Sequence, residues 1–282
     1  MKNIVVPTDF SDNAWNALQY ALSLFKKTKC TFYIFHVNPK IHNEYGDGIA
    51  LESPEIVAKI ILKESKERLQ AVLNDLERLP LNPKHKFITK AVYGFFTDSI
   101  NKLIADKKID LIIMGTKGAS GLKKVTMGSN TGDVITKVKC PILAVPENAV
   151  YNRPKTIAFP TDYHLHYNIK VLEDLKELAL MHNASLNFVY ISKKGEELSR
   201  EQLKNQQFLS DYFTGMNHTT HHINGQNLET TIQQFTESRG VDMIVMVAKN
   251  LNFLQRILFR PSVEKISYHT KIPFLVLHEQ SV

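Results

Sequence analysis

Gly115, Gly118, Gly128 and Ser129 stand at fixed spacing inside the stretch 109–147, IDLIIMGTKGASGLKKVTMGSNTGDVITKVKCPILAVPE. Glycine lets the backbone approach a ligand closely and adopt left-handed conformations. Asn130 and Thr131 follow Ser129 and open a helical pattern. At such a helix start, free backbone N–H groups, side-chain hydroxyls and the positive dipole end converge on one spot. The chemistry this suits is holding an anion, and the anion we expect is the phosphate chain of a nucleotide. Lys117, Lys123 and Lys124 lie in the same loop and could screen phosphate charge. For Lys123 and Lys124 a solvated loop is the simpler account. The loop has no Gly-Lys-Ser/Thr, so it is not a P-loop. Without that lysine and a recognisable general base, efficient ATP hydrolysis is not expected.

The flanks of this loop are apolar runs, Leu111–Met114 and Pro141–Val145, which read as buried strands. Earlier in the chain Asn3–Pro7 reads as a first strand, and Thr8-Asp9-Phe10-Ser11 as a turn. Ser11 can cap a helix with Asp12 in its first turn. That helix carries Ala14, Leu18, Ala21, Leu22 and Phe25 on one face. A second strand spans Thr31–Val37, and Asn38–Ser53 reads as a loop. Ser53-Pro54-Glu55 is a strong helix start. Its helix reaches about Leu79, with Ile56, Ile60, Leu69, Val72, Leu73 and Leu76 as expected core residues. A third strand, Lys86–Val92, precedes a helix over Thr97–Lys107 with Ile100, Leu103 and Ile104 inward. Apolar strands alternating with helices predict an α/β fold with a parallel sheet covered on both faces. Ligands in such sheets bind beyond the carboxyl strand ends, where the strand order reverses.

Composition sets outer bounds. The chain has 282 residues, 43% of them hydrophobic and 22% charged, which suits one large or two ordinary globular domains. No apolar run reaches the length of a membrane span, and MKNIVVPTDF lacks a signal-peptide pattern. A cytoplasmic protein without membrane partners is expected. The net charge is +7, but the basic residues are spread along the chain without an aromatic-interleaved stripe. Nucleic acid is therefore not an expected partner. Cys30 and Cys140 border strand-like runs and read as buried free thiols. His218, His221 and His222 are dense enough to suggest Zn²⁺ or Ni²⁺, as are His164 and His166 after the second PTD turn. No cysteine or acidic ligand stands at a recognisable spacing, and a strand would split the first cluster between its two faces. No metal site is expected.

The chain repeats itself. Residues 2–11, KNIVVPTDFS, return as 155–164, KTIAFPTDYH. Residues 110–147 align without a gap to 242–279, matching Asp110 to Asp242, Pro141 to Pro273 and Glu147 to Glu279. Two domains are expected, 1–148 and 155–282, joined by a linker containing Asn152-Arg153-Pro154. In the copy Gly115 becomes Val247, Gly118 becomes Asn250, and Gly128-Ser129 becomes Arg260-Pro261. Valine disfavours a left-handed backbone and obstructs close approach, while proline removes a backbone donor. The second domain is thus expected to keep the fold and lose the phosphate site.

Pro7-Thr8-Asp9, the spacing Gly115-x2-Gly118-x9-Gly128-Ser129 and the closing Cys140-Pro141-Ile142-Leu143-Ala144-Val145 resemble the universal stress protein family. The whole chain resembles its tandem form. The resemblance implies two Rossmann-like, adenine nucleotide alpha hydrolase-like domains. Each would be a five-stranded parallel sheet in the order 3-2-1-4-5, and the two would pair through their fifth strands. It also implies that ATP, or ADP or AMP, binds where the glycine motif is kept, with Mg²⁺ as an optional companion. Carried over by position, Asp9 and the backbone of Val37 would contact adenine, with Pro7 beside the base. Met114 and Gly115 would lie against the ribose and first phosphate. Gly118, Gly128, Ser129, Asn130 and Thr131 would cradle the phosphates. A helix-entry turn is the plain alternative for Asp9, and Asp162 is retained in the copy that lacks the glycines. The reading is a nucleotide-binding stress-response or regulatory protein, with the second domain as built-in pairing partner and homodimerisation open. Two alternatives stay open: a slow ATPase or phosphotransferase, and a protein-interaction module with a vestigial pocket.

Overall fold

The computed structural model describes residues 1–39, 54–80, 82–116, 129–164, 168–192, 196–248 and 272–278. The first half runs β1 (Lys2–Pro7), α1 (Asp12–Leu24), β2 (Cys30–Asn38), α2 (Pro54–Glu77), β3 (His85–Tyr93), α3 (Phe96–Lys107), β4 (Leu111–Gly115), α4 (Ser129–Lys137) and β5 (Ile142–Val145). The second runs β6 (Thr156–Pro160), α5 (Ile169–His182), β7 (Ser185–Ser192), α6 (Arg200–Tyr212), β8 (His218–Asn224), α7 (Leu228–Arg239), β9 (Met243–Val247) and β10 (Phe274–Leu277).

Local signals set the helix ends. Ser11 caps α1 by accepting from the Ala14 N–H. Asn168 and Asn227 do the same for α5 and α7, and Ser199 with Gln202 forms a reciprocal capping box on α6. The chain leaves α5 through Asn183 and α7 through Gly240, both in the left-handed region that ends helices.

The ten strands among the described residues join one sheet in the order β3-β2-β1-β4-β5-β10-β9-β6-β7-β8. Each half is therefore a parallel sheet of the expected order, 3-2-1-4-5. The strands either side of the midline, β5 and β10, run antiparallel, with Leu143 opposite Leu275. Since each half is parallel within itself, the carboxyl ends of the two sets of strands point to opposite edges of the sheet. Two continuous cores sandwich it. One packs Ile4, Val6, Phe32, Ile34, Leu111 and Ile113 under α1 and α2, and continues through Leu143 and Leu275 to α5 and α6. The other packs Val5, Phe35, Ile112 and Met114 under α3 and α4, and continues to α7. The result is a three-layer α/β/α sandwich.

The expected core of α2 needs correction at its start. Leu69 and Leu76 are buried, but Ile56 and Ile60 are 47% and 56% exposed. The helix has 24 residues, about 36 Å long. The nine-residue strands beside it span about 30 Å. Its first turns run past the sheet, so periodicity there continues without a surface to bury it.

Candidate functional site

The carboxyl ends of β1, β2 and β4 meet at one edge of the sheet. Pro7 stands beside Phe35, and Val5 beside Ile112. From β1 the chain winds outward to β2 and β3; from β4 it winds the other way to β5. The reversal lies between β1 and β4, where open α/β sheets hold ligands.

Strand alternation decides which side chains face which helices. Val5, Phe35 and Ile112 face α3 and α4, so Pro7, Val37 and Met114, two residues further along each strand, face the same way. These three expected site residues therefore share one face at the reversal point. Met114 is buried, and Val37 is half-buried against the same core.

Gly115 points the other way, toward α1. A Cβ at this position would collide with the amide of Asn13, which is buried in the first turn of α1. Among the described glycines the left-handed ones are Gly215 and Gly240. Gly115 thus serves close approach, and the group approaching it here is Asn13. Sequence reasoning missed Asn13, although it sits at helical spacing with the buried Ala17 and Ala21. A polar residue on that stripe was the available signal.

Helix α4 begins at Ser129, and its first turn is tied to the end of β4. The buried Thr131 hydroxyl donates to the Gly115 carbonyl at 2.9 Å. Asn130 is exposed beside it. Gly118, Gly128 and the three loop lysines lie outside the described residues, as do the second-half positions Asn250, Arg260 and Pro261.

The Thr8-Asp9 turn has a closed local hydrogen-bond set. Asp9 Oδ1 accepts from the Ser11 N–H at 3.1 Å and the Ser11 hydroxyl at 2.6 Å, while Thr8 Oγ1 accepts from the Phe10 N–H at 3.0 Å. Phe10 adopts a left-handed φ of 67°. The second half repeats this turn: Thr161 Oγ1 accepts from the Tyr163 N–H, Asp162 Oδ1 from the His164 N–H, and Tyr163 has φ 55°. In the first half the aspartate holds the entry to α1 through its cap Ser11; in the second it closes the turn itself, and α5 is capped further on by Asn168. Pro160, Ile191 and Met246 occupy the register positions of Pro7, Val37 and Met114, and Val247 that of Gly115.

The model of the universal stress protein family matches residues 1–146 and again residues 154–278. This chain belongs to the universal stress protein family. It is 31% identical over 148 residues to universal stress protein MJ0531 of Methanocaldococcus jannaschii, which covers 51% of this chain and 81% of that protein. Universal stress protein YxiE of Bacillus subtilis is 27% identical over 146 residues, covering 50% and 97%. A crystal structure of a universal stress protein from Archaeoglobus fulgidus superposes on 98% of this chain and 98% of its own, with a TM-score of 0.73 and 17% identity. That likeness shows the fold over both halves.

The histidines on β8 are divided, each with its own partner. His218 Nδ1 donates to the Met216 carbonyl at 3.1 Å while its Nε2 meets the Ser210 hydroxyl. His222 Nε2 meets the Gln206 amide at 2.7 Å. On the opposite face His221 Nε2 donates to Asn187 Oδ1 at 2.9 Å and its ring rests against Phe235. Among the described residues no group of three or more His, Cys, Asp or Glu could hold a metal ion. Also among them, no helix is long and apolar enough to cross a membrane. Cys30 and Cys140 are free and buried. Burial pushes their thiols up to about 11 and about 12, which keeps them protonated and unreactive.

Proposed function

We propose that the first half binds an adenine nucleotide and that the protein acts as a nucleotide-responsive regulator. The observation that carries this reading is the convergence of Pro7, Val37 and Met114 on one face at the strand reversal, beside the start of α4. Apolar side chains there suit a planar base and a sugar. The N-terminus of α4, anchored through Thr131, suits the phosphates. On this reading Gly118, Gly128, Ser129 and Asn130 complete the cradle, and Asp9 and the Val37 backbone read the base.

The second half, spanning roughly 155–282, would act as a permanently attached partner. Its β10 supplies the strand that β5 would otherwise seek in another chain. With Val247 in place of Gly115 and Arg260-Pro261 in place of Gly128-Ser129, it would hold no triphosphate. The reading places the protein in the cytoplasm, where millimolar ATP keeps such a site occupied.

Calorimetric titration of the full chain should find one ATP per chain, and no saturable binding at millimolar ATP would remove the proposal. A variant carrying Gly118→Val, Gly128→Arg and Ser129→Pro should stay folded and bind no ATP. Phosphate release clearly above that variant would instead favour a slow ATPase. A melting temperature indifferent to ATP, with a stable protein partner, would favour an interaction module.

A further inference from the structure

The two halves hold the same Pro-Thr-Asp turn by different means, and the difference centres on His36. In the first half His36 Nδ1 lies 2.7 Å from the Thr8 carbonyl. A carbonyl only accepts, so Nδ1 carries the proton and donates. The ring is packed from several sides. Nε2, the acceptor nitrogen of this tautomer, lies 3.2 Å from Asn38 Oδ1, a contact between two acceptors and not a second hydrogen bond; Asn38 is itself tied to the Val92 carbonyl and the Ser65 hydroxyl. The Phe10 ring sits 4.4 Å from the imidazole and carries the Arg68 guanidinium 4.0 Å from its own centroid.

In the second half the register position of His36 is taken by Tyr190, whose ring lies 5.6 Å from Tyr163. There the turn is held from α6 instead. Gln202 donates to the Asp162 carbonyl at 2.8 Å, and Asn205 to the Tyr163 carbonyl at 2.7 Å. A histidine bond to the threonine carbonyl thus belongs to the half that keeps the glycine motif.

This bond has a geometric consequence. His36 follows Phe32 and Ile34 in strand alternation and faces α1 and α2. It draws the Thr8 carbonyl toward that side. In a planar trans peptide the C=O and the following N–H point opposite ways. The Asp9 N–H is therefore turned toward the side of Pro7, Val37 and Met114.

We infer that His36 is a positioning residue for base recognition: its Nδ1–H pins the Thr8 carbonyl so that the Asp9 peptide N–H faces the base of the nucleotide. The inference rests on the nucleotide reading above. His36 itself touches no ligand; it sets the angle of the peptide that does.

The test compares the full-length wild type with His36→Leu and His36→Asn, titrating each with ATP and with GTP and checking the fold by thermal melting. Asparagine can place a donor where Nδ1 stands; leucine cannot. The wild type should prefer ATP over GTP by about tenfold or more, the scale of one well-placed hydrogen bond. His36→Leu should lose most of that preference, chiefly by weakening ATP about tenfold. His36→Asn should regain it to within about threefold. ATP and GTP weakened in equal proportion would overturn the inference, because that marks general damage. So would an unchanged preference in His36→Leu, or a folded His36→Asn that behaves like the leucine variant. A wild type that binds neither nucleotide would instead remove the nucleotide reading itself.

Discussion

The amide of Asn13 occupies the space that a side chain on Gly115 would fill. This contact joins the start of α1 to the end of β4, at the edge where the candidate site lies. It gives Gly115 a packing reason independent of any ligand. Gly115→Val, which copies the second half, should therefore destabilise the protein by about 1–3 kcal/mol through overpacking. Urea unfolding measures this. Adding Asn13→Ala should recover part of the loss, because the two sites are in direct contact. Simple additivity would show that the strain lies elsewhere.

Thr131→Val removes the hydroxyl that ties the first turn of α4 to the Gly115 carbonyl while keeping its shape. The buried carbonyl would lose that donor, at a cost of about 1–3 kcal/mol. ATP affinity should fall with stability, since the same turn is proposed to meet the phosphates. Parallel calorimetry and unfolding on the one variant check both.

His182 and His278 make stability depend on pH. Burial lowers both to about 4 from an ordinary 6.5, and Arg153 and Lys27 push His182 the same way. Neither Nε2 has a hydrogen-bond partner among the described residues. Between pH 6.5 and 4 the unfolded chain takes up these protons and the folded one resists them. Their contribution is full above about pH 6.5 and is lost as pH falls through about 4. His182→Gln should flatten the pH dependence of the urea midpoint over that window.

Leu143 and Leu275 face each other across the antiparallel joint, 1% and 6% exposed. Leu143→Ala should cost about 2–5 kcal/mol. Because the cores run through this seam, unfolding should remain a single transition shifted to lower temperature. Two transitions by calorimetry would show that the halves melt independently.

The order of strands and helices in the first half was legible in the residues, because continuous apolar runs and stripes of period 3.6 are local properties. So was the duplication, since KNIVVPTDFS and KTIAFPTDYH can be compared without coordinates. The Asp9 turn was half legible: its helix-entry role was weighed, and the retention of Asp162 in the copy without the glycines showed that an aspartate here need not mark a nucleotide site. Ile56 and Ile60 were misplaced because periodicity records a helix face but not whether the sheet extends beneath it.

Contacts distant in the chain needed the folded molecule. Nothing local ties Asn13 to Gly115, His36 to the Thr8 carbonyl, or Thr131 to the end of β4. Those relationships arise when parallel strands bring their carboxyl ends to one edge and alternation assigns each side chain a face. The glycines announce themselves in the sequence as residue types. Which neighbour needs the missing Cβ is a question of three-dimensional packing, and at Gly115 the neighbour is an asparagine of α1.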